Sequence, residues 1–380
     1  IPININDFEQ VKKTSLELGI TMIIVGPEDP LVNGIHDFFA RDEQTKSIAI
    51  IGPKKKAASL EGSKDFAKKF LIRHNIPTAS YATFTKDNLN DGFEFLKTLN
   101  PPYVLKADGL AAGKGVLIID NLEEANNELR EMLVGEKFGI ASSKVVIEEF
   151  LDGIELSCFV LTDGVNYKVL PTAKDYKRIG EGDSGLNTGG MGAISPVPFA
   201  KKELLNKIEQ NIITPTIEGL KKDGIEYQGF IFIGLINVND EPKVIEYNVR
   251  MGDPETEAVL PRIQNDFVEI FQSFKDKTLN KIDLKIDNRS AATVVLVSGG
   301  YPSNYNKGIK ITGIDHVVDS TVYHAGAIQK EGGVYTNGGR VLAITSFGNN
   351  FQEALDISYK SASKINFDRM YYRKDLGFDL

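Results

Sequence analysis

The stretch FIFIGLINVNDEPKVIEYNVRMGDPETE, residues 230–257, reads as a β-hairpin with its chemistry on the second strand. There Glu246 and Asn248 are two positions apart, so strand alternation puts both side chains on one face. Val244 continues that face, and Ile245 and Tyr247 point the other way. Two hard oxygen donors on one strand face suit a Mg²⁺ ion whose remaining positions are filled by nucleotide phosphates and water. Arg250 falls on the same face, where a guanidinium meets anionic oxygen. The plainer alternative is an edge strand with a solvated Glu and Asn, and the apolar neighbours count against it.

Working outward, YVLKADGLAAGKGVLII (residues 103–119) gives a strand ending near Lys106, a glycine-rich turn and a second strand. Such a loop lays backbone N–H groups over phosphates while the lysine supplies charge. It is not a Walker A loop: three residues separate Gly109 from Gly113, Lys114 is followed by Gly115, and a strand stands where a helix is required. A simple hairpin turn is the competing reading. In KVVIEEFLDGIELS (residues 144–157), Glu148 and Glu149 interrupt an apolar strand and Glu155 opens the next. An apolar slot edged by main-chain polar groups suits an adenine, and a nearby carboxylate suits ribose hydroxyls; solvated acids at a strand end are the alternative.

With 380 residues the chain exceeds what one core fills, about 250–300 residues. Hydrophobic content of 42% and charged content of 25% are those of a globular chain. A net charge of −8 argues against a general nucleic-acid or membrane-surface partner. Cys158, the one cysteine, sits in an apolar run as core filler and leaves no disulfide or cysteine metal site, as expected of a reducing compartment. No apolar run approaches the roughly 20 residues needed to span a bilayer.

Residues 1–78 alternate short β runs (21–25, 48–52) with helical stretches (31–39, 57–73), a parallel α/β pattern. Residues 79–287 divide into a smaller lobe, 79–150, and a larger lobe, 151–287, with a long helix over 203–221. Residues 288–380 form a strand-rich C-terminal unit. The glycine-rich stretch IGEGDSGLNTGGMGAISPVP (residues 179–198) is too long for an idle connection.

Together GSKDFAKKF, YVLKADGLAAGKGV, VVIEEFLDGIELS, SGLNTGGMGAISP and VIEYNVRMGDPET resemble, in order and spacing, the phosphoribosylamine-glycine ligases. The resemblance extends to GPEDPLVNGI near the start and to SGGYP, VYHAGA and TNGGRVL near the end. It implies α/β and α+β multidomain architecture: an ATP-grasp fold with an N-terminal parallel α/β domain and a small strand-rich C-terminal domain. The family's first strand and glycine turn have no counterpart before Ile1. The reaction it implies joins glycine to 5-phosphoribosylamine through glycyl phosphate, consuming ATP with Mg²⁺ or Mn²⁺, in the cytoplasm, by a monomer or weak homodimer.

Carried over by resemblance, Lys64 and Lys106 contact ATP phosphates, and Gly113, Lys114 and Gly115 form the flap over them. Glu148, Glu149, Phe150 and Leu151 line the adenine, with Glu155 on the ribose. Glu246 and Asn248 hold the metal, without the second carboxylate that many ATP-grasp enzymes place on the preceding strand, where Gly234 stands. Arg250 and Lys106 are the catalytic pair. Asp175, Lys177, Arg178, Asn187, Thr188, Gly189 and Gly190 surround the substrates, and Pro27, Glu28 and Asp29 belong to the amine pocket. The rival readings are another ATP-grasp carboxylate-amine ligase, which should lack NTGGMGA, and a non-catalytic nucleotide-binding regulator.

Overall fold

Alternation along Tyr103–Ala107 separates Leu105 and Ala107 from Val104 and Lys106. In the computed structural model, which describes residues 1–111 and 115–380, this strand lies inside a four-stranded antiparallel sheet. The order is Tyr81–Phe84, Val145–Glu148, Tyr103–Ala107, Val116–Ile119. Helices Leu89–Leu96 and Leu122–Leu133 cover the Leu105 face and close a core with Leu96, Leu129, Met132, Val145 and Ile147. Asn121 starts the second helix by accepting from the N–H groups of Glu123 at 2.8 Å and Glu124 at 3.1 Å, donors that a first turn leaves open. Lys106 is left on the other face, aimed at the larger lobe.

That lobe is built on a second four-stranded sheet, ordered Glu241–Asn248, Gly229–Val238, Ile154–Thr162, Tyr167–Val169. One face packs Cys158, Val160, Ile231, Ile233 and Leu235 against Ile208, Ile212, Ile217 and Leu220. These last come from a continuous helical rod, Lys202–Ile208 and Thr214–Lys222, with a π turn over Glu209–Ile213. Burial raises the Cys158 thiol to about 12, in keeping with a filler of the core. The same core takes in Val25, Leu31, Phe39, Leu60 and Phe70, so the N-terminal residues share it. Their two short strands, Met22–Ile24 and Ala49–Ile51, pair in parallel. The helix read over 57–73 is two helices, Lys55–Gly62 and Lys64–Arg73. The break is Ser63, whose hydroxyl accepts from the Phe66 N–H at 3.1 Å and caps the second helix.

The hairpin departs from simple alternation in one place. Gly234 pairs with Glu246 but Leu235 pairs with Val244, so Ile245 is an extra residue, a β-bulge. Val244 therefore turns into the helix-facing core together with Tyr247, rather than lying beside Glu246. Glu246 and Asn248 keep their common face, because both follow the bulge.

The glycine-rich stretch has work in two sheets. Gly192–Ser195 pairs with Lys174–Asp175 on one side and Ser290–Val297 on the other, within a five-stranded sheet completed by Arg340–Gly348 and Thr321–His324. Helix Phe351–Ala362 covers it through Ala354 and Leu355, packed on Ile194, Val294, Leu296 and Ile344. Just before, Arg178–Gly180 and Ser184–Asn187 form a small hairpin. Its base is tied by Arg373, fully buried, which donates to Arg178 O at 3.2 Å and pairs with Asp183 and Asp375. Among the described residues no helix is long and apolar enough to cross a membrane.

Leu105→Ala should destabilise the smaller lobe by about 2–5 kcal/mol, as large-to-small changes at a fully buried site do. Urea unfolding of wild type and variant checks this; a loss well below about 1 kcal/mol would mean that the two helices do not depend on the Lys106 strand.

Candidate active site

Three charges meet where the smaller lobe faces the larger. Glu148 Oε2 lies 3.0 Å from Lys106 Nζ and 3.2 Å from Lys68 Nζ, and all three residues are at least 95% buried. Lys106 also donates to the carbonyl of Ile245, the bulge residue, at 3.4 Å. Lys68 donates to Thr78 Oγ1 at 2.7 Å, and Thr78 in turn donates to Val244 O at 2.7 Å. Burial lowers the Lys68 ammonium to about 8, with Glu148 opposing. Among the described residues Glu148 Oε1 has no hydrogen-bond partner. The Glu148 side chain thus anchors two lysines. Glu149 accepts from the Ser80 N–H at 2.9 Å, Phe150 is exposed and Leu151 half-buried.

Lys64, at the start of its helix, donates to Gly109 O at 3.2 Å, at the mouth of the glycine loop. Burial lowers its pKa, while Glu246 pulls the other way. Gly113 and Lys114 lie outside the described residues. Gly115 is buried, and a Cβ there would come within 2.7 Å of the Ala111 side chain.

On the sheet of the larger lobe, one face changes character along its length. Phe159, Leu161, Phe230 and Phe232 pack on Phe271 and Phe274 at one end. At the other, Glu246, Gly234 and Ser157 stand side by side on neighbouring strands, with Asn248 next to Phe232. Gly234 stands opposite Glu246, and a Cβ there would sit 3.3 Å from Glu246 Cγ. Among the described residues no cluster of three or more His, Cys, Asp or Glu side chains is arranged to hold a metal. The donor set is one carboxylate and one amide oxygen. It fits a hard divalent ion that takes its other ligands from phosphate and water.

The Glu246 carboxylate acts electrostatically on Lys64, Lys177, Glu61 and Arg250, which puts it at the centre of the polar residues. Arg250 follows the same strand and pairs with Glu61 at 2.7 Å and with Glu28 at 3.3 Å. Glu61 also accepts from the Val249 N–H at 2.7 Å, and burial raises its carboxyl to about 7 against the pull of Arg250. Glu28 opens the helix Glu28–Asn33, for which Pro27 is the N-cap; Pro27 and Asp29 are exposed.

A second ionic group adjoins the first. Lys177 Nζ is 2.8 Å from Glu155 and 3.9 Å from Asp175. Burial opposes its charge, but Asp175, Glu155 and Glu246 hold the Lys177 pKa well above the usual lysine value. Glu255 accepts from Ser157 Oγ at 3.2 Å, and burial, reinforced by Asp175, raises it to about 8. Arg178 is drawn aside, donating to Gly185 O at 2.8 Å across the small hairpin, with Asn187 opposite it. Thr188 bonds to Lys177 O. Gly190 has φ +114°, and a Cβ there would meet Pro254 Cδ at 2.3 Å.

Sequence reading passed over Glu61, Lys68 and Glu255. Glu61 and Lys68 are charged residues with apolar neighbours on their own helices, the one local sign of a buried partner, whereas Glu255 opens a short helix beside Thr256 and Glu257; the partners of all three lie far along the chain.

Two α+β lobes, each contributing buried cations and oxygen donors to the space between them, define an ATP-grasp enzyme. Residues 1–61, 62–256 and 291–379 match in turn the N domain, the ATP-grasp (A) domain and the C domain of phosphoribosylglycinamide synthetase. The chain is 45% identical over 381 residues to the phosphoribosylamine-glycine ligase of Vibrio vulnificus, all of this chain aligning with 87% of that protein. A bifunctional purine biosynthetic protein of Schizosaccharomyces pombe is 44% identical over 379 residues, 99% of this chain and 47% of that one. The crystal structure of phosphoribosylamine-glycine ligase from Thermotoga maritima, 39% identical, superposes with a TM-score of 0.78 over 86% of this chain and 81% of its own. The chain belongs to the phosphoribosylglycinamide synthetase family, the ATP-dependent ligases that join glycine to 5-phosphoribosylamine in purine biosynthesis.

Gly190→Ala should strain the loop by about 1–3 kcal/mol, since the backbone is left-handed and Pro254 fills the space. Thermal unfolding together with the KM for glycine tests it; wild-type values for both would mean that the loop relaxes freely.

Proposed function

We propose that Lys64 and Lys106 hold the ATP phosphates under the glycine loop that ends at Gly115. In this reading the backbone of Glu148, with Glu149, Phe150 and Leu151, edges the adenine and Glu155 meets the ribose. Glu246 and Asn248 would hold a divalent ion, Mg²⁺ or Mn²⁺, whose chemistry is to neutralise phosphate charge. Asp175, Lys177, Arg178, Asn187, Thr188, Gly189 and Gly190 border glycine and phosphoribosylamine, with Pro27, Glu28 and Asp29 on the amine side. The division into residues 1–78, 79–287 and 288–380 belongs to the same proposal, as does a cytoplasmic location.

The observation that carries this reading is Arg250. It touches Glu28 of the amine pocket and Glu61, and it stands within the field of Glu246. A guanidinium between the amine side and the metal strand suits a reaction in two displacements. In the first, a glycine carboxylate oxygen bonds to the γ-phosphorus and the bond to the bridging oxygen of ADP breaks. In the second, the amine nitrogen bonds to the acyl carbon, the bond from that carbon to the phosphate oxygen breaks, and phosphate departs with the proton that the amine gives up. Both transition states gather charge on phosphoryl oxygens, and a fixed cation there lowers both barriers. Positioning does the remainder, so no protein nucleophile is called for.

Two substitutions test the assignments in an assay of ADP release with Mg-ATP and glycine, with and without phosphoribosylamine generated in situ. Glu246→Gln should shift the dependence on Mg²⁺ to higher concentration and lower turnover while leaving the fold intact; an unchanged Mg²⁺ profile removes Glu246 from the metal site. Lys106→Ala should raise the KM for ATP about tenfold or more and slow turnover, as loss of a charge-assisted hydrogen bond of ~1.5–3 kcal/mol requires. Wild-type kinetics in that variant would refute its role.

A further inference from the structure

Two C-terminal motifs, SGGYP and TNGGRVL, meet the glycine loop of the larger lobe at a single residue, Gly189. Arg340 donates through Nη1 to Gly189 O at 2.7 Å and to Asp253 O at 2.9 Å. Its two terminal nitrogens also grip the Asp253 carboxylate at 2.8 and 2.9 Å. Tyr301 Oη accepts from the Gly189 N–H at 3.0 Å. The N–H and the carbonyl of Gly189 are therefore both held from the C-terminal unit. A Cβ at Gly189 would lie 2.9 Å from Arg340 Cζ, which is why glycine stands there.

The next residue passes the constraint inward. Thr188 donates from its N–H at 2.7 Å and from its hydroxyl at 2.8 Å to the carbonyl of Lys177, and its hydroxyl accepts from Gly190 at 2.9 Å. Lys177 carries the ammonium that pairs with Glu155 at 2.8 Å. From Arg340 to Lys177 the path is two hydrogen-bonded steps, Arg340 to Gly189 and Thr188 to Lys177, joined by the peptide bond between residues 188 and 189. At its outer end is a planar, bidentate guanidinium, which fixes orientation as well as distance.

We propose that Arg340 and Tyr301 are positioning residues for the ligation: by clamping Gly189 they fix Thr188 and Lys177, and so set the affinity for glycine and the amine. The proposal rests on the reading of Lys177 and the loop 187–190 as part of the substrate pocket. A residue that only staples the C-terminal unit would alter stability without altering substrate affinity. Positioning alters the KM for the substrates on this side far more than that for ATP, whose phosphate lysines lie on other elements and whose one link to the relay is Glu155, the partner of Lys177.

The test is steady-state kinetics of the full chain with Arg340→Gln, Arg340→Lys, Tyr301→Phe and Lys177→Ala, each with its melting temperature. Arg340→Gln should raise the KM for glycine, the amine or both about tenfold, with the KM for ATP within about twofold of wild type. Arg340→Lys keeps the charge but not the fork, and Tyr301→Phe removes one acceptor; each should give about a threefold rise. If Lys177→Ala raises the substrate KM and Arg340→Gln does not, whatever its melting temperature, the relay is wrong and the pocket reading stands. If neither moves the substrate KM, the pocket reading falls and takes the proposal with it. An equal rise in the KM for ATP would also overturn it.

Discussion

Glu148 between Lys68 and Lys106 is the contact on which the arrangement of the lobes depends. Removing three charges from water is costly, and the cost is offset only where each has close partners. Here the partners come from several parts of the cleft: a helix from residues 64–73, the central strand of the smaller lobe, the residues that enter that lobe at Thr78 and Ala79, and the bulge in the strand of Glu246. The group holds two ammoniums against one carboxylate, and Lys64 stands nearby. Its surplus is positive. A buried positive surplus without a matching anion is an unfinished electrostatic arrangement, which the polyphosphate proposed for this site would complete.

The bulge at Ile245 joins this group to the strand that carries Glu246 and Asn248. An extra residue in one strand leaves backbone groups out of the ladder, and here the carbonyls of Val244 and Ile245 accept from Thr78 and Lys106. The same insertion changes the alternation, so that Val244 and Tyr247 both enter the core while Glu246 and Asn248 stay together on the cleft face. Gly234 then keeps the space across from Glu246 open. A metal site with one carboxylate binds a free divalent ion weakly. At the metal site proposed for Glu246 and Asn248, phosphate oxygens would complete the affinity, so that metal and nucleotide would be held together.

Much of this was legible in the sequence. Tyr103–Ala107 and Val116–Ile119 follow from their apolar and β-branched runs, and the Glu246–Asn248 pair follows from a period of two. The bulge was not legible, because it is a property of the register between two strands and leaves no mark in either one alone. The break at Ser63 was available in principle: a serine followed by a helical run is an N-cap signal, and the continuing apolar spacing outweighed it. Glu61 and Lys68 escaped for another reason. Their roles are set by Arg250 and Glu148, 189 and 80 positions away, and no local pattern encodes a partner at that distance.

The sheet that ends in the C-terminal unit shows why that unit resists treatment as a separate appendage. Two of its five strands, Lys174–Asp175 and Gly192–Ser195, come from the larger lobe and bracket residues 176–191 between them. Whatever fixes Ser290–Val297 and Arg340–Gly348 therefore also fixes both ends of the segment that carries Lys177, Thr188 and Gly189. The middle of that segment needs separate restraint, because glycines lend a loop conformational freedom that strand pairing at its ends does not remove. Arg373 supplies it at the small hairpin, and Arg340 with Tyr301 supplies it at Gly189. A loop of small residues can come close to a substrate backbone-first, and in this fold the side chains that keep it still are contributed from outside.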